Sequence, residues 1–154
     1  MTTDSLRGIH VLADVGDELL DRLRSYGDTV ECQAGKMILK QGGAGDALYF
    51  ILEGSVGVYS SDTRGGENHL RTIGSGGHFG EVGVLEKGQR TANVRATSDC
   101  VLFRISAEAF NRIKQDPALA VPILNGLCRS LALRLSDVTS RLAEVWACKN
   151  AWTI

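Results

Sequence analysis

Apolar residues return at helical spacing near the start of the chain, with Val15, Leu19, Leu20 and Leu23 on one face of the segment DVGDELLDRLRSYG. That pattern predicts a helix over residues 16–26, with Asp14 or Asp17 as its cap and Gly27 as its stop. From Asp28 to about Ile105 the period shortens. The pieces TVECQ, KMILKQ, ALYFILEG, SVGVYSSD, HLRTIG, TANVRAT and CVLFRIS favour strands, and glycine turns separate them. Most of the eighteen glycines lie between Gly35 and Gly88, the punctuation of a compact antiparallel barrel or jelly roll. Gly42-Gly43 and Gly65-Gly66 stand where strand-like runs stop, so both read as hairpin connections. Helical spacing then resumes: Ser106 can cap a short helix carrying Phe110 and Ile113, which Pro117 ends.

Beyond Ala118 one pattern dominates. Val121, Leu124, Cys128, Leu131, Leu135, Val138, Leu142 and Val145 are spaced alternately by three and four, a heptad seam. Packing on the barrel explains its beginning, but four heptads outrun what a small barrel can cover. Pro122, near the start, is tolerable in a first turn. The expectation is a long helix that leans on the barrel and then pairs with its copy, giving a homodimer through residues 121–145. The whole chain reads as mainly β with flanking helices: one domain, 1–154, made of a helical segment 1–27, a β-barrel 28–105, helices 106–146 and a tail 147–154.

Composition narrows the function. Seventeen Lys and Arg against eighteen Asp and Glu leave a net charge of -1, so no global field draws the chain to nucleic acid or to an anionic membrane. Any bound anion must be held locally. The opening MTTDSLRGIH lacks the features of a signal peptide, and no stretch reaches eighteen uninterrupted apolar residues, which together suggest a cytoplasmic protein without a membrane span. Cys32, Cys100, Cys128 and Cys148 have no C-x-x-C spacing and read as buried or inert thiols. His10, His69 and His78 lack metal-ligand spacing and read as surface or turn histidines.

The chemistry concentrates in FGEVGVLEKGQRTANV, residues 79–94, which sets Glu81 and Arg90 in a glycine-broken run. A short helical turn entered from GSGGHFG would offer outward backbone amides to an anion, with glycines allowing close approach. Arg90 supplies a planar fork for two phosphate oxygens. Glu81 would be repelled by a phosphate unless it accepts from a hydroxyl, such as a ribose 2'-OH. Phosphate beside a ribose hydroxyl describes a nucleotide, and Thr91 adds a hydroxyl for phosphate or a purine edge.

This run resembles the phosphate-binding cassette of cyclic nucleotide-binding domains, as in catabolite-activator-type regulators. The likeness extends to GDALYFILEGSVGVY, QAGKMILKQGGAGD and DCVLFRISAEAF, and covers about residues 12–145. It implies an antiparallel jelly-roll, or double-stranded β-helix, barrel with a short cassette helix and a long C-terminal helix. It also implies ligand contacts from residues 79–92. Phe79 opens the run, Gly80 and the following amides approach the ligand, Glu81 takes the ribose 2'-OH, and Val82 and Gly83 form the turn. Arg90 holds the cyclic phosphate, with Thr91 and the Ala92 amide beside it. The chain departs from the common pattern at Gln89, often proline, and at Gly83, often alanine, which would loosen the loop. Thr91 leaves cyclic AMP and cyclic GMP both open as ligand. On the long helix, Thr139 and Ser140 are candidates to cap the base, one residue later than the family spacing, and Arg129 and Arg134 are alternative lid contacts.

The resulting reading is a receptor, not an enzyme, needing no cofactor besides its ligand. Ligand shifts the C-terminal helix and so signals to an unknown effector protein. Only nine residues follow Val145, too few for a helix-turn-helix, so direct DNA binding is not expected. The tail WACKNAWTI, with Trp146 and Trp152, could anchor a partner or cap a dimer end. Competing readings are a ligand-free dimerising scaffold, a cupin-type metalloenzyme using His69, His78 and Glu81, and a haem or iron-sulphur sensor. A dinucleotide fingerprint in GGAGD fails because a strand follows it.

Overall fold

The computed structural model describes residues 3–151. Eight strands, all paired antiparallel, form two four-stranded sheets in the orders β1-β8-β3-β6 and β2-β7-β4-β5. The strands are β1 (Asp28–Cys32), β2 (Met37–Leu39), β3 (Ala47–Glu53), β4 (Ser55–Ser61), β5 (Glu67–Gly74), β6 (His78–Phe79), β7 (Asn93–Ala96) and β8 (Cys100–Ser106). Helices flank the roll: α1 (Thr3–Arg7), a 3-10 turn (His10–Leu12), α2 (Asp17–Arg24), α3 (Glu81–Glu86), α4 (Ala107–Lys114) and α5 (Pro117–Ala151). This is the antiparallel jelly roll with flanking helices that the glycine-punctuated strands predict.

The strand β3 explains how roll and helices hold together. Ala47, Tyr49 and Ile51 face the barrel interior with Val56, Val58, Phe79, Val94 and Leu102. The alternate residues Leu48 and Phe50 face a second core built with Leu20, Leu23, Phe103, Phe110, Ile113 and Ile123. Because both faces are covered, ALYFIL is a continuous apolar run rather than an alternating one. In contrast β5, at a sheet edge, is largely exposed.

α2 is shorter than the expected 16–26 and opens on Gly16 with no side-chain cap. The two candidate caps are used elsewhere, Asp14 pairing with Arg129 (2.9 Å) and Asp17 with Arg7 (2.8 Å). Ser106 does cap α4, accepting from the Ala109 amide at 3.1 Å. Pro117 follows α4 but also opens α5, a position where its missing N–H costs nothing. Pro122 lies inside α5, beyond the first turn. Gly65-Gly66 sits in the β4–β5 hairpin, where the Asp62 carboxylate accepts from the Arg64 and Gly66 amides. Gly42-Gly43 is not a hairpin, because β2 and β3 belong to different sheets. That loop instead exchanges backbone hydrogen bonds with Arg90, Gly42 N to Arg90 O at 2.9 Å and Arg90 N to Gly43 O at 2.8 Å.

The 35-residue α5 changes character along its length. Leu119, Ile123 and Leu127 are buried in the helical core, and Gly126 meets the 3-10 turn so closely that a Cβ there would lie 1.9 Å from the Val11 carbonyl oxygen. Further on, Leu135, Val138, Leu142 and Val145 are more than half exposed, as is Val121 on the same seam. By length and composition Pro117–Lys149 could also cross a membrane, although polar and charged residues interrupt its apolar runs. Its exposed half nevertheless carries Arg134, Asp137, Arg141 and Glu144.

Candidate functional site

Gly80 ends β6 and caps α3 with φ +87°, a left-handed conformation in which a Cβ would lie 2.6 Å from the Ala47 carbonyl oxygen. The next residue, Glu81, is therefore turned into the roll, only 2% exposed. Phe79 anchors the entry by stacking on Tyr49, with centroids 4.9 Å apart. At the far end the Gly42–Asp46 loop clamps the cassette, with Gly45 N donating to Gly88 O at 3.2 Å and a bridge between Ala44 and Gln89.

Arg90 is buried at 5% exposure and satisfies itself on this frame. Its Nε donates to Ala44 O (3.1 Å), its Nη1 to Gly80 O (3.0 Å), and its Nη2 to Ala47 O (2.8 Å) and Asp46 Oδ1 (3.1 Å). Four of the five guanidinium hydrogens are thus used, leaving one on Nη1 without a partner among the described residues. The fork that the sequence aims at two phosphate oxygens here ties the two ends of the cassette together. A phosphate taken bidentately would have to displace one of these carbonyls. Gly83 does not loosen the loop: its Cβ would lie 2.7 Å from Gly45 Cα and 2.9 Å from Arg90 Nη1.

Glu81 is paired from α5, where Arg134 Nη1 donates to its Oε1. His78 Nε2 lies 4.0 Å from the same oxygen, is buried, and has no hydrogen-bond partner among the described residues. Burial lowers the His78 pKa, Glu81 partly opposing and Arg134, Arg71 and His10 adding to the effect. His78 is thus an interior residue, not the surface or turn histidine expected, because β6 carries it into the first sheet. Arg71 projects from β5 toward the same group, its pKa lowered by burial first and by Arg134 second.

Phe79, Gly80, Glu81, Val82, Gly83, Arg90, Thr91 and Ala92 all line one small cavity, joined by Arg71 and Arg134. Its volume is about 80 Å³, well under the roughly 300 Å³ at which small-molecule pockets begin. The site is closed down, with Arg134 across it. Arg129 lies outside this cavity, and Thr139 and Ser140 are exposed further along α5, the Thr139 hydroxyl donating to Leu135 O at 2.8 Å. His69 is not brought to His78 and Glu81; it sits on β5 in the other sheet, bonded to Thr72 at 3.0 Å.

Sequence reasoning passes over Asp46 and Arg71. Asp46 gives little signal, since only the folded loop brings it to Arg90. Arg71 does give one: in HLRTIG the half-buried positions are Arg71 and Ile73, so a cation occupies an inward register position where alternation calls for an apolar residue. Two of the four cysteines are buried, as expected. Cys32 and Cys100 are buried and directly opposed across β1 and β8, whereas Cys128 and Cys148 are exposed.

A helix-flanked roll with a short-helix cassette at its mouth, closed by a long C-terminal helix, defines a class of ligand-responsive domain. The chain belongs to the cyclic nucleotide-binding domain family, whose description matches residues 29–116. It is 37% identical over 83 residues to an uncharacterized ABC transporter ATP-binding protein of Mycobacterium tuberculosis, a match covering 54% of this chain and 25% of that one. Over 143 residues it is 29% identical to an uncharacterized NTE family protein of the same organism, covering 92% of this chain and 24% of that one. The chain therefore spans about a quarter of the length of these relatives. Among solved structures it resembles the catabolite activator protein of Thermus thermophilus, with TM-score 0.77, 29% identity, and coverage of 88% and 62%. It also resembles the regulatory subunit of a cAMP-independent protein kinase A from Trypanosoma brucei, with TM-score 0.72, 28% identity, and coverage of 82% and 44%. A solved structure of a mutant of that subunit is bound to cAMP in its A site.

Proposed function

We propose that this chain is a cytoplasmic receptor for a cyclic nucleotide, cyclic AMP or cyclic GMP, that transmits occupancy through α5 to a partner protein without catalysing a reaction. The observation that carries this reading is the convergence of Glu81 and Arg90, both buried, on one cavity at the mouth of the roll. Glu81 keeps one carboxylate oxygen for a ribose hydroxyl while Arg134 occupies the other. The unpartnered Nη1 hydrogen of Arg90 and the backbone around Thr91 and Ala92 would take the cyclic phosphate.

Entry of a nucleotide requires the cavity to widen. Arg134 is the only residue of α5 that lines it among the described residues, so widening moves that helix relative to the roll. Ligand binding and α5 position become one equilibrium, in which the Glu81–Arg134 pair favours the narrow cavity. The exposed seam of α5 supports a homodimer as the element that reads this motion. A bilayer is a poorer cover for that seam, because Arg134, Asp137, Arg141 and Glu144 would each cost about 2.5–3.5 kcal/mol at its centre. The relatives named for ABC transport and the NTE family support a second arrangement, in which such a domain regulates a larger protein.

Calorimetry with cyclic AMP and cyclic GMP tests the site. Arg90→Ala removes a charge-assisted contact of about 1.5–3 kcal/mol, so the affinity should fall roughly tenfold to a hundredfold. An unchanged affinity in a folded variant removes Arg90 from the ligand site.

A further inference from the structure

A second cavity lies beside the cassette, between the 3-10 turn, the β5–β6 segment and α5. Its volume is about 370 Å³, more than four times that of the cassette cavity, and the two share only Arg71 and Arg134 among their lining residues. Three arginines line it, Arg71, Arg129 and Arg134, with the rings of His10 and His78 and the Ser130 hydroxyl beside them.

The charges do not balance. Arg134 is neutralised by Glu81 and Arg129 by Asp14, but no hydrogen-bond or ion-pair partner of the Arg71 guanidinium is found among the described residues. His78 adds a buried ring nitrogen with no partner. The Arg71 guanidinium is half-buried beside a second arginine: burial first and Arg134 second lower its pKa, and Glu81, already paired with Arg134, opposes them only in part. Neither group serves the Arg90 frame. From this we infer that the cavity is a separate binding site for a small organic anion, carrying phosphate or carboxylate groups that Arg71 and Ser130 grip directly. Its lining includes Gly126, where α5 touches the 3-10 turn, and Arg134, whose guanidinium is paired with Glu81 of the cassette cavity. An anion there draws Arg71 and Arg134 toward itself, so it modulates the cassette from the side opposite to the nucleotide.

The inference stands independently of the cyclic nucleotide reading, and the test separates them. Calorimetry with inorganic pyrophosphate at matched ionic strength is run on the wild type and three variants, each checked for folding by circular dichroism. Ser130→Glu places a carboxylate in the second cavity only, Arg71→Gln removes the unpaired charge, and Arg90→Ala alters the cassette only. Pyrophosphate should bind the wild type, weaken by about tenfold or more in Ser130→Glu and Arg71→Gln, and keep its affinity within about twofold in Arg90→Ala. No binding to the wild type at millimolar concentration overturns the inference. So does a loss confined to Arg90→Ala, which assigns the anion to the cassette, or an unchanged affinity in Ser130→Glu and Arg71→Gln. Cyclic nucleotide titrated into Ser130→Glu reports on the first site regardless of the outcome at the second.

Discussion

Two residues state the tightness of this site better than any average. Gly83 packs its Cα against Gly45 and leaves no room for a Cβ beside Arg90 Nη1. The family's frequent alanine at this position is therefore incompatible with this loop pairing unless the Gly42–Asp46 segment gives way. Gly83→Ala should cost about 1–3 kcal/mol and lower the melting temperature by several degrees, measured calorimetrically; an unchanged melting temperature would mean that the two glycines do not touch. His78 sets a pH dependence. Its pKa is depressed by burial in the fold, with Glu81 opposing and Arg134, Arg71 and His10 reinforcing, so the unfolded chain takes up the proton first as pH falls. This contribution to stability is complete above about pH 6.5, the ordinary histidine value, and is lost as pH drops below it. Urea unfolding between neutral and mildly acid pH should show His78→Phe with a flatter slope than the wild type. Equal slopes would assign the acid sensitivity to other groups.

At the scale of elements, the sequence made most of the fold legible because its signals are local. Helical spacing, glycine turns and the Ser106 cap operate over a few residues, and they locate α2, α4, α5 and every strand except β6. That two-residue strand has no periodicity to read; only its pairing with Tyr49 and Phe50 makes it a strand. The Gly42-Gly43 loop misleads for the same reason, since its role is a tertiary contact with Arg90 across forty-odd residues of chain. In the candidate site the cassette residues could be read from their run, whereas Asp46 and the Glu81–Arg134 pair could not, because they join distant segments. Trp152, one of the two expected anchors, lies outside the described residues, while Trp146 is exposed. The α5 seam carries its own prediction. Val138 and Leu142 are each 55% exposed, so Val138→Arg with Leu142→Arg should leave the fold intact by circular dichroism. The same change should convert a dimer to a monomer in analytical ultracentrifugation. A wild type that sediments as a monomer at micromolar concentration would remove the dimer.

The whole molecule couples a rigid roll to a helix that is packed at one end and bare at the other. Its two hydrophobic cores meet across β3 and β8, so the barrel interior and the α5 base cannot shift independently. Further along α5 the contact with the cassette is the ion pair of Glu81 with Arg134, and under the proposed function this is where roll and helix part. On that reading, ligand selectivity is the central question, because a ring that presents a phosphate and a ribose hydroxyl together would reach the remaining Nη1 hydrogen of Arg90 and the second carboxylate oxygen of Glu81 at once. The direct test is a calorimetric comparison of cyclic AMP, cyclic GMP and linear 5'-AMP with the wild-type chain. One cyclic nucleotide should bind at least about tenfold more tightly than the linear monophosphate; equal binding of all three, or binding of none, would contradict the receptor.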